Sequence, residues 1–441
     1  MTRFLPRPEL LDSPRHRDWP AVPGPEPSVP PPLPATADVV VVGAGPAGLA
    51  VAAALWHVGV HDVVIIDRDG RPAGRFLDRI DRIGQRVLRS PYEHHPGVEG
   101  YRDCELRDFA RMHWALLTAV ERREVRMSQA GHRSVVPVDV FEAYCRHTAA
   151  IHGVPARLWP GEVRVLEPGP ERVTVQGTGF TVDARYVVLC QGEERRAAPA
   201  GWWSGARPAA VGYWDEPPPT RAGHEVHEVV VGAGLTSAHL IHNALERGAR
   251  VSWVLREESE RYQCSDVNAS FFRAEGRARF DNVPWADRMA LMRRERRASV
   301  MFEFRPELRA AEADGRLTVR RGGEIAAVGD GEVLLADGRR VAGDHVWLAL
   351  GTVPSIGAGL LPDDLVAARD GWPDLDERTL AFRAAPRVFA AGAAACMVLG
   401  PAGRNIDGHR VATARVATTV ATRLAGSGLR SFDLKAVEAL V

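Results

Sequence analysis

The chain has 441 residues, enough for two or three domains, and its composition (45% hydrophobic, 25% charged) is that of a soluble globular protein. Its 56 basic residues balance its 56 acidic ones, which argues against nucleic acid or an anionic membrane surface as a partner. Lys435 is the only lysine, so Schiff-base and P-loop mechanisms, which need a well-placed lysine, are excluded.

Met1–Ala37 is proline-rich and charged. Such a stretch builds no core and reads as an extended arm over the first domain. Val39–Val42 then run into Gly43, Gly45 and Gly48, a G-x-G-x-x-G followed by an apolar helix and a second strand ending at Asp67. The first glycine permits the tight turn, the second lets a pyrophosphate approach bare backbone, and the third lets helix and strand pack closely. The helix N-terminus offers free N–H groups to phosphate, and Asp67 stands where an acid accepts from ribose hydroxyls. Val39–Val60 has no Asp, Glu, Lys or Arg and could mimic a membrane span. Its glycines and Pro46 fit a buried strand–turn–helix instead, and no membrane segment is expected.

Gly70–Tyr101 reads as a long irregular loop leaving the strand edge where ligands of open α/β sheets bind. Helices are expected over Asp108–Val120 and Asp139–His152, then strands at Glu162–Glu167, Arg172–Gln176 and Arg185–Cys190, the last stopping at Gly192. At Glu228–Val231 the pattern restarts, with Gly232, Gly234 and Ser237, a helix Ala238–Arg247 and a strand Arg250–Leu255. Gly232 and Arg256 are spaced as Gly43 and Asp67 are, and Tyr186–Gly192 matches His345–Gly351. A whole dinucleotide-binding unit is therefore duplicated. Where the first copy has Asp67 the second has Arg256; an acid repels a 2′-phosphate and an arginine pairs with it, so the second site is assigned to NADPH, a solvated arginine being the plainer alternative. Glu257–Arg309, with an arginine-rich helix around Arg293–Arg297, is the candidate substrate or nicotinamide cover, an oligomer contact being the plainer alternative. The last helix is expected at Ile406–Ala425, after GPAGRNIDG.

Cys104, Cys145, Cys190, Cys264 and Cys396 form no C-x-x-C and no zinc spacing. With no signal-peptide pattern at the start, this predicts a reducing cytoplasm. The fold expected is α/β: two Rossmann-like dinucleotide-binding domains with small β-meanders, the second inserted into the first. The divisions are 1–37 (arm), 38–222, 223–342 with the insertion 257–309, and 343–441.

These residues resemble the two-dinucleotide-binding-domain flavoproteins, in which FAD takes the first motif, here GAGPAG (Gly43–Gly48), and NADPH the second, here GAGLTS (Gly232–Ser237). LALGTVP (Leu348–Pro354) resembles that superfamily's second FAD-domain signature. Within it, the chain looks most like the flavin-dependent N-hydroxylating monooxygenases of lysine and ornithine. Gln85 with RSPYEHHPG (Arg89–Gly97), VPVDVFEAYCRH (Val136–His147) and GAGLTSAHL (Gly232–Leu240) carry that likeness. There are departures. The family's Gly-Asp near the C-terminus is Gly392-Ala393 here, Arg75-Phe76 replaces a Trp-His, and F-x-G-x-x-x-H is absent before the second motif.

The resemblance implies that NADPH reduces FAD and that an amine nitrogen, or another nucleophilic heteroatom, takes an oxygen atom by way of a flavin hydroperoxide. The implied FAD residues are Gly43, Gly45, Pro46, Ala47, Gly48, Asp67, Arg68, Gln85, Gly192, Gly351, Gly392 and Ile406. The NADPH residues are Gly232, Gly234, Thr236, Ser237 and Arg256. Candidate substrate contacts are Arg89, His94, His95 and Asn268; against them stand an ion pair for Arg89 and a backbone-bonded loop histidine for at least one of the pair. No catalytic acid or base and no metal site is expected. Partners are a small molecule and O2, with a homo-oligomer left open. The alternatives are a reductase passing electrons to a protein or quinone, and a non-catalytic flavin-binding regulator.

Overall fold

A computed structural model describes residues 6–20, 32–97, 105–217 and 226–426. Two parallel sheets, one from each glycine motif, organise them. The first runs, in spatial order, Leu158–Pro160, Val63–Asp67, Thr36–Val42 and Phe180–Leu189. Val173–Gly177 and Val163–Pro168 continue it antiparallel, and Val388–Ala390 pairs in parallel with Val187–Leu189. The second runs Val211–Tyr213, His345–Leu348, His227–Val231, Arg250–Val254 and Leu317–Arg320, all parallel. Val39, Val40, Val41, Val187 and Val188 are fully buried, the near-continuous aliphatic composition of strands covered on both faces.

Val39–Val60 is the central strand, the turn and the helix Pro46–His57. Among the described residues no helix is long and apolar enough to cross a membrane. Between the sheets the chain crosses twice, and the crossings pair with each other as an antiparallel ribbon, Glu193–Arg195 against Thr352–Pro354. Val211–Tyr213 and His345–Leu348 stand in the second sheet, although the divisions at 222/223 and 342/343 give both to the first domain. Parallel pairing of Val229 with Val346 decides this, and linear sequence does not display such pairing.

Three local expectations change. The helix over Asp108–Val120 is two helices, Glu105–Met112 and Ala119–Gln129. Thr118 starts the second: its hydroxyl accepts from the Glu121 N–H at 3.3 Å, and the Glu121 carboxylate accepts from the Thr118 N–H at 2.8 Å, a capping box. Gly70–Tyr101 is not a bare loop. Gly74–Arg82 is helical with Leu77 and Ile80 buried, and Val87–Leu88 pairs with Val136–Pro137; residues 98–101 lie outside the described part. The arginine-rich helix lies earlier, at Trp285–Glu295, with Arg296 and Arg297 past its end.

The arm, expected to build no core, contributes to one. A single turn at Pro8–Asp12 buries Leu10 and Leu11 against Ile83, Trp214 and Phe304, in the core of the second sheet. Arg15 pairs with Asp81 at 2.5 Å and Glu142 at 2.9 Å, and Trp19 donates to Asp139 at 2.8 Å. Arg7 reaches Glu124 at 2.9 Å, where the glutamate side chain is 0% exposed. Burial pushes the Glu124 carboxyl up to about 7 against the pull of Arg7. A carboxyl with a raised folded-state pKa keeps its proton longer when folded. Its stabilisation is therefore full below the ordinary value of 4.5 and is lost as pH rises through 7. The change is about 3 kcal/mol, at ~1.36 kcal/mol per pKa unit. Glu124→Gln is expected to match the native urea midpoint near pH 4.5 and to exceed it at pH 8; parallel pH profiles would contradict this.

Candidate functional site

A cavity of about 900 Å³ lies at the C-terminal ends of the first sheet's strands, lined there by Val42, Asp67 and Cys190. That is where open α/β sheets bind ligands. Its floor is the first glycine turn. Gly43 has φ +103°, and a Cβ there would meet the Cys190 carbonyl oxygen at 2.6 Å. A Cβ on Gly48 would sit 1.9 Å from the Gly43 oxygen, whereas one on Gly45 would touch nothing within 4 Å. Pro46–His57 begins at Gly45 with no side-chain cap, so its first N–H groups are free for an anion. The Asp67 carboxylate accepts from Ala44 N–H at 2.7 Å and Asp69 N–H at 2.9 Å, which ties the second strand's end to the turn.

At the other end the C-terminal helix Ile406–Ala425 also starts without a side-chain cap. The Asn405 side chain is used elsewhere: it donates to Asp266 at 3.1 Å and accepts from Arg296 at 2.5 Å. Arg89 donates to Asp266 at 2.6 Å and to the Ser299 hydroxyl at 2.9 Å. Burial works against the Asp266 charge, yet Arg89, Arg296 and Asn405 together hold its carboxyl below the usual range. This network fastens the 257–309 segment to the flank of the cavity. Nearby, Arg404 pairs with Glu193 at 2.5 and 2.8 Å, and Thr352 also bonds Glu193. Burial opposes the Glu193 charge, but Arg404 prevails and its carboxyl stays low.

Of the residues expected from sequence, Gly43, Gly45, Pro46, Ala47, Asp67, Arg68, Gln85, Arg89, Gly192, Thr236 and Ile406 line this one cavity. Gly48 lies under the turn. Gly351 and Gly392, both left-handed at φ +80° and +68°, back the wall through their neighbours Thr352 and Ala393. The second motif contributes Leu235 and Thr236. Its Gly232 repeats Gly43, with φ +134° and a Cβ position 2.3 Å from the Ala349 oxygen; Gly234, like Gly45, has open space. Ser237 is buried. Arg256 stands off this cavity with its side chain 82% exposed and Glu257 at 3.9 Å.

The substrate candidates are not brought together. Arg89 lines the cavity, but its guanidinium is held by Asp266 and Ser299, so the ion-pair alternative is realised in buried form. His94 is buried against Phe272, with centroids 4.6 Å apart, and burial lowers its pKa. His95 lies 3.3 Å from the Tyr144 hydroxyl, which donates to Glu105 at 2.5 Å. Neither histidine lines the cavity. Asn268 accepts from Ser270 N–H at 3.0 Å and borders a separate cavity of about 370 Å³ with Arg261, Arg294 and Arg297. Glu193, Arg404, Asn405, Asp266 and His409 line the larger cavity without having been singled out. Of these, the loop GPAGRNIDG contains Arg404 and Asn405 alone.

Cys145, Cys190, Cys264 and Cys396 are unpaired thiols. Cys190 borders the cavity, but burial pushes its thiol well above the ordinary range and holds it protonated.

The profile of one protein family, described as pyridine nucleotide-disulphide oxidoreductase, matches residues 37–421. No curated protein sequence matches the chain. Among solved structures, the ornithine N-hydroxylase of Kutzneria sp. 744, with reduced FAD, NADP+ and L-ornithine, is similar at TM-score 0.70 and 16% identity, over 88% of this chain and 100% of that one. The cadaverine monooxygenase of Erwinia amylovora, bound to FAD, is similar at TM-score 0.60 and 14% identity, over 87% and 94%. The bacillithiol disulfide reductase of Bacillus cereus is similar at TM-score 0.58 and 17% identity, over 88% and 99%. A family match across both glycine motifs and both sheets places the chain in the pyridine nucleotide-disulphide oxidoreductase family.

Proposed function

We propose that this protein is an NADPH- and O2-dependent flavoprotein monooxygenase that hydroxylates a nucleophilic heteroatom of a small molecule, an amine nitrogen above others. The observation that carries the reading is the single cavity bordered by both glycine motifs, through Gly43 and Gly45 on one side and Leu235 and Thr236 on the other. FAD fits the first motif. Gly45 leaves open space over the uncapped helix N-terminus, which suits a pyrophosphate, and Asp67 lines the cavity where a ribose would lie. Bound there, FAD would supply a hydride acceptor for NADPH and a carrier for one oxygen atom of O2, the other leaving as water.

The chain's own residues supply position. The Arg89–Asp266–Asn405 network holds the 257–309 segment against the cavity, and the Glu193–Arg404 pair closes its wall near Thr352. Disulphide reduction has little support despite the family's description, because no C-x-x-C exists and the Cys190 thiol is protonated. Structural similarity to the ornithine N-hydroxylase exceeds that to the disulfide reductase. The test is spectroscopic. Anaerobic NADPH is expected to bleach the flavin's visible absorbance, and air to restore it without an added acceptor. Reoxidation by a quinone or protein acceptor but not by O2 would replace the monooxygenase with a reductase.

A further inference from the structure

The wall of the cavity at Ala391–Ala395 is built from alanines and Gly392 and carries no polar side-chain atom. The polar group at this wall comes from another element. His409, in the first turns of the C-terminal helix, lines the cavity. Its Nε2 and the Ala47 Cβ lie 3.5 and 3.2 Å from the point where a Cβ on Gly392 would stand. His409 therefore meets the cavity beside the first turn of the Pro46–His57 helix, whose free N–H groups suit a pyrophosphate. Its Nδ1 is buried and has no hydrogen-bond partner among the described residues. Burial lowers its pKa to about 4, with Glu193 pulling weakly the other way. The neutral ring then offers one N–H donor and one lone-pair acceptor, a match for a hydroxyl group rather than for a charge. In FAD the group joined to the pyrophosphate on the flavin side is a chain of hydroxyls.

We propose that His409 is a FAD-binding residue whose imidazole hydrogen-bonds a hydroxyl of the ribityl chain, at a wall where Ala393 offers no polar group. The proposal rests on the FAD reading. The His409 Nδ1 is closed off from the cavity, so the ring nitrogen offered to the polyol is Nε2, beside Gly392. Gly392 is needed for the same approach, since a side chain there would crowd Ala47 and His409.

The test titrates deflavinated full-length protein with FAD, read by quenching of flavin fluorescence, and with ADP, which lacks the polyol, read by calorimetry. His409→Ala is expected to weaken FAD about 10-fold, the size of one hydrogen bond whose loss strands a polar group, and to leave ADP unchanged. His409→Gln, which keeps a donor and an acceptor, is expected within about 3-fold of native, by the same principle. Cooperative urea unfolding of deflavinated His409→Ala is required, so that weaker FAD binding reports the lost contact and not a lost fold. Native FAD affinity in His409→Ala overturns the proposal, and so does equal weakening of FAD and ADP, which would place the contact on phosphate. Native protein that binds no FAD overturns the cofactor reading and the proposal with it.

Discussion

Gly48→Ala is expected to lower stability by about 3 kcal/mol, whereas Gly45→Ala, three positions earlier, is expected to leave stability unchanged and weaken FAD about 100-fold. The two glycines do different work. A Cβ on Gly48 falls 1.9 Å from the backbone oxygen of Gly43. Backbone cannot swing aside as a flexible side chain can, so the cost sits at the upper end of the roughly 1–3 kcal/mol typical of overpacking. Gly45 has φ −63° and ψ −178°, a conformation open to any residue, and free space around its Cβ position. What alanine would occupy there is the approach of the pyrophosphate to the turn. Losing two charge-assisted backbone contacts is worth about 3 kcal/mol, or roughly 100-fold in affinity. Urea midpoints of the deflavinated variants and FAD titrations separate the effects. Ser237, the second motif's counterpart of Gly48, shows that a side chain can be buried after a turn whose first glycine sits at φ +134°. If Gly48→Ala keeps native stability, the first turn can relax to that shape and close packing is not its reason for glycine.

Arg256→Ala is expected to lower kcat/KM for NADPH by about 10- to 100-fold and to leave the value for NADH unchanged. The arginine lies two residues past the end of the second motif's second strand, Arg250–Val254. By sheet register Asp67 is matched by Leu255 and Arg68 by Arg256, one place off the expected correspondence. Glu257 at 3.9 Å is a loose partner. An exposed guanidinium so lightly held is free to fork onto a 2′-phosphate. Hydrogen bonds to charged groups contribute about 1.5–3 kcal/mol, which sets the fold-change through ~1.4 kcal/mol per factor of ten. The check is steady-state oxidation of both nucleotides by native and variant protein. A native enzyme using NADH as well as NADPH, or a variant that loses both equally, would remove Arg256 from the phosphate site.

Both glycine motifs, their strands and helices, and the final helix were legible because each is a local pattern. Glycines fix the turn, and valine runs fix strands buried on both faces. Thr118 and Glu121 also formed a readable signal, a capping box that ends the notion of one helix over Asp108–Val120. The spacing of Leu77 and Ile80 likewise marked the helix Gly74–Arg82. What sequence could not show is pairing across long separations. Arg89 meets Asp266, Glu193 meets Arg404, and Arg7 meets Glu124 only because the sheets, the ribbon and the arm bring them together. For that reason Arg89 stood between a substrate contact and an ion pair, and the arm read as an extended stretch that builds no core. His409 was hidden for the same cause: nothing local distinguishes a histidine that meets Ala47 and Gly392 from one that faces solvent.

The measurement that bears most directly on the proposed activity is the mass of the product formed from NADPH, O2 and a panel of amines, amino acids and sulfides. The account predicts a product from one of the amines that is heavier by one oxygen atom, labelled when the oxygen is supplied as 18O2, with NADPH consumed in step. NADPH consumption that yields only hydrogen peroxide with every amine, or oxygen delivered to a sulfide alone, would contradict it.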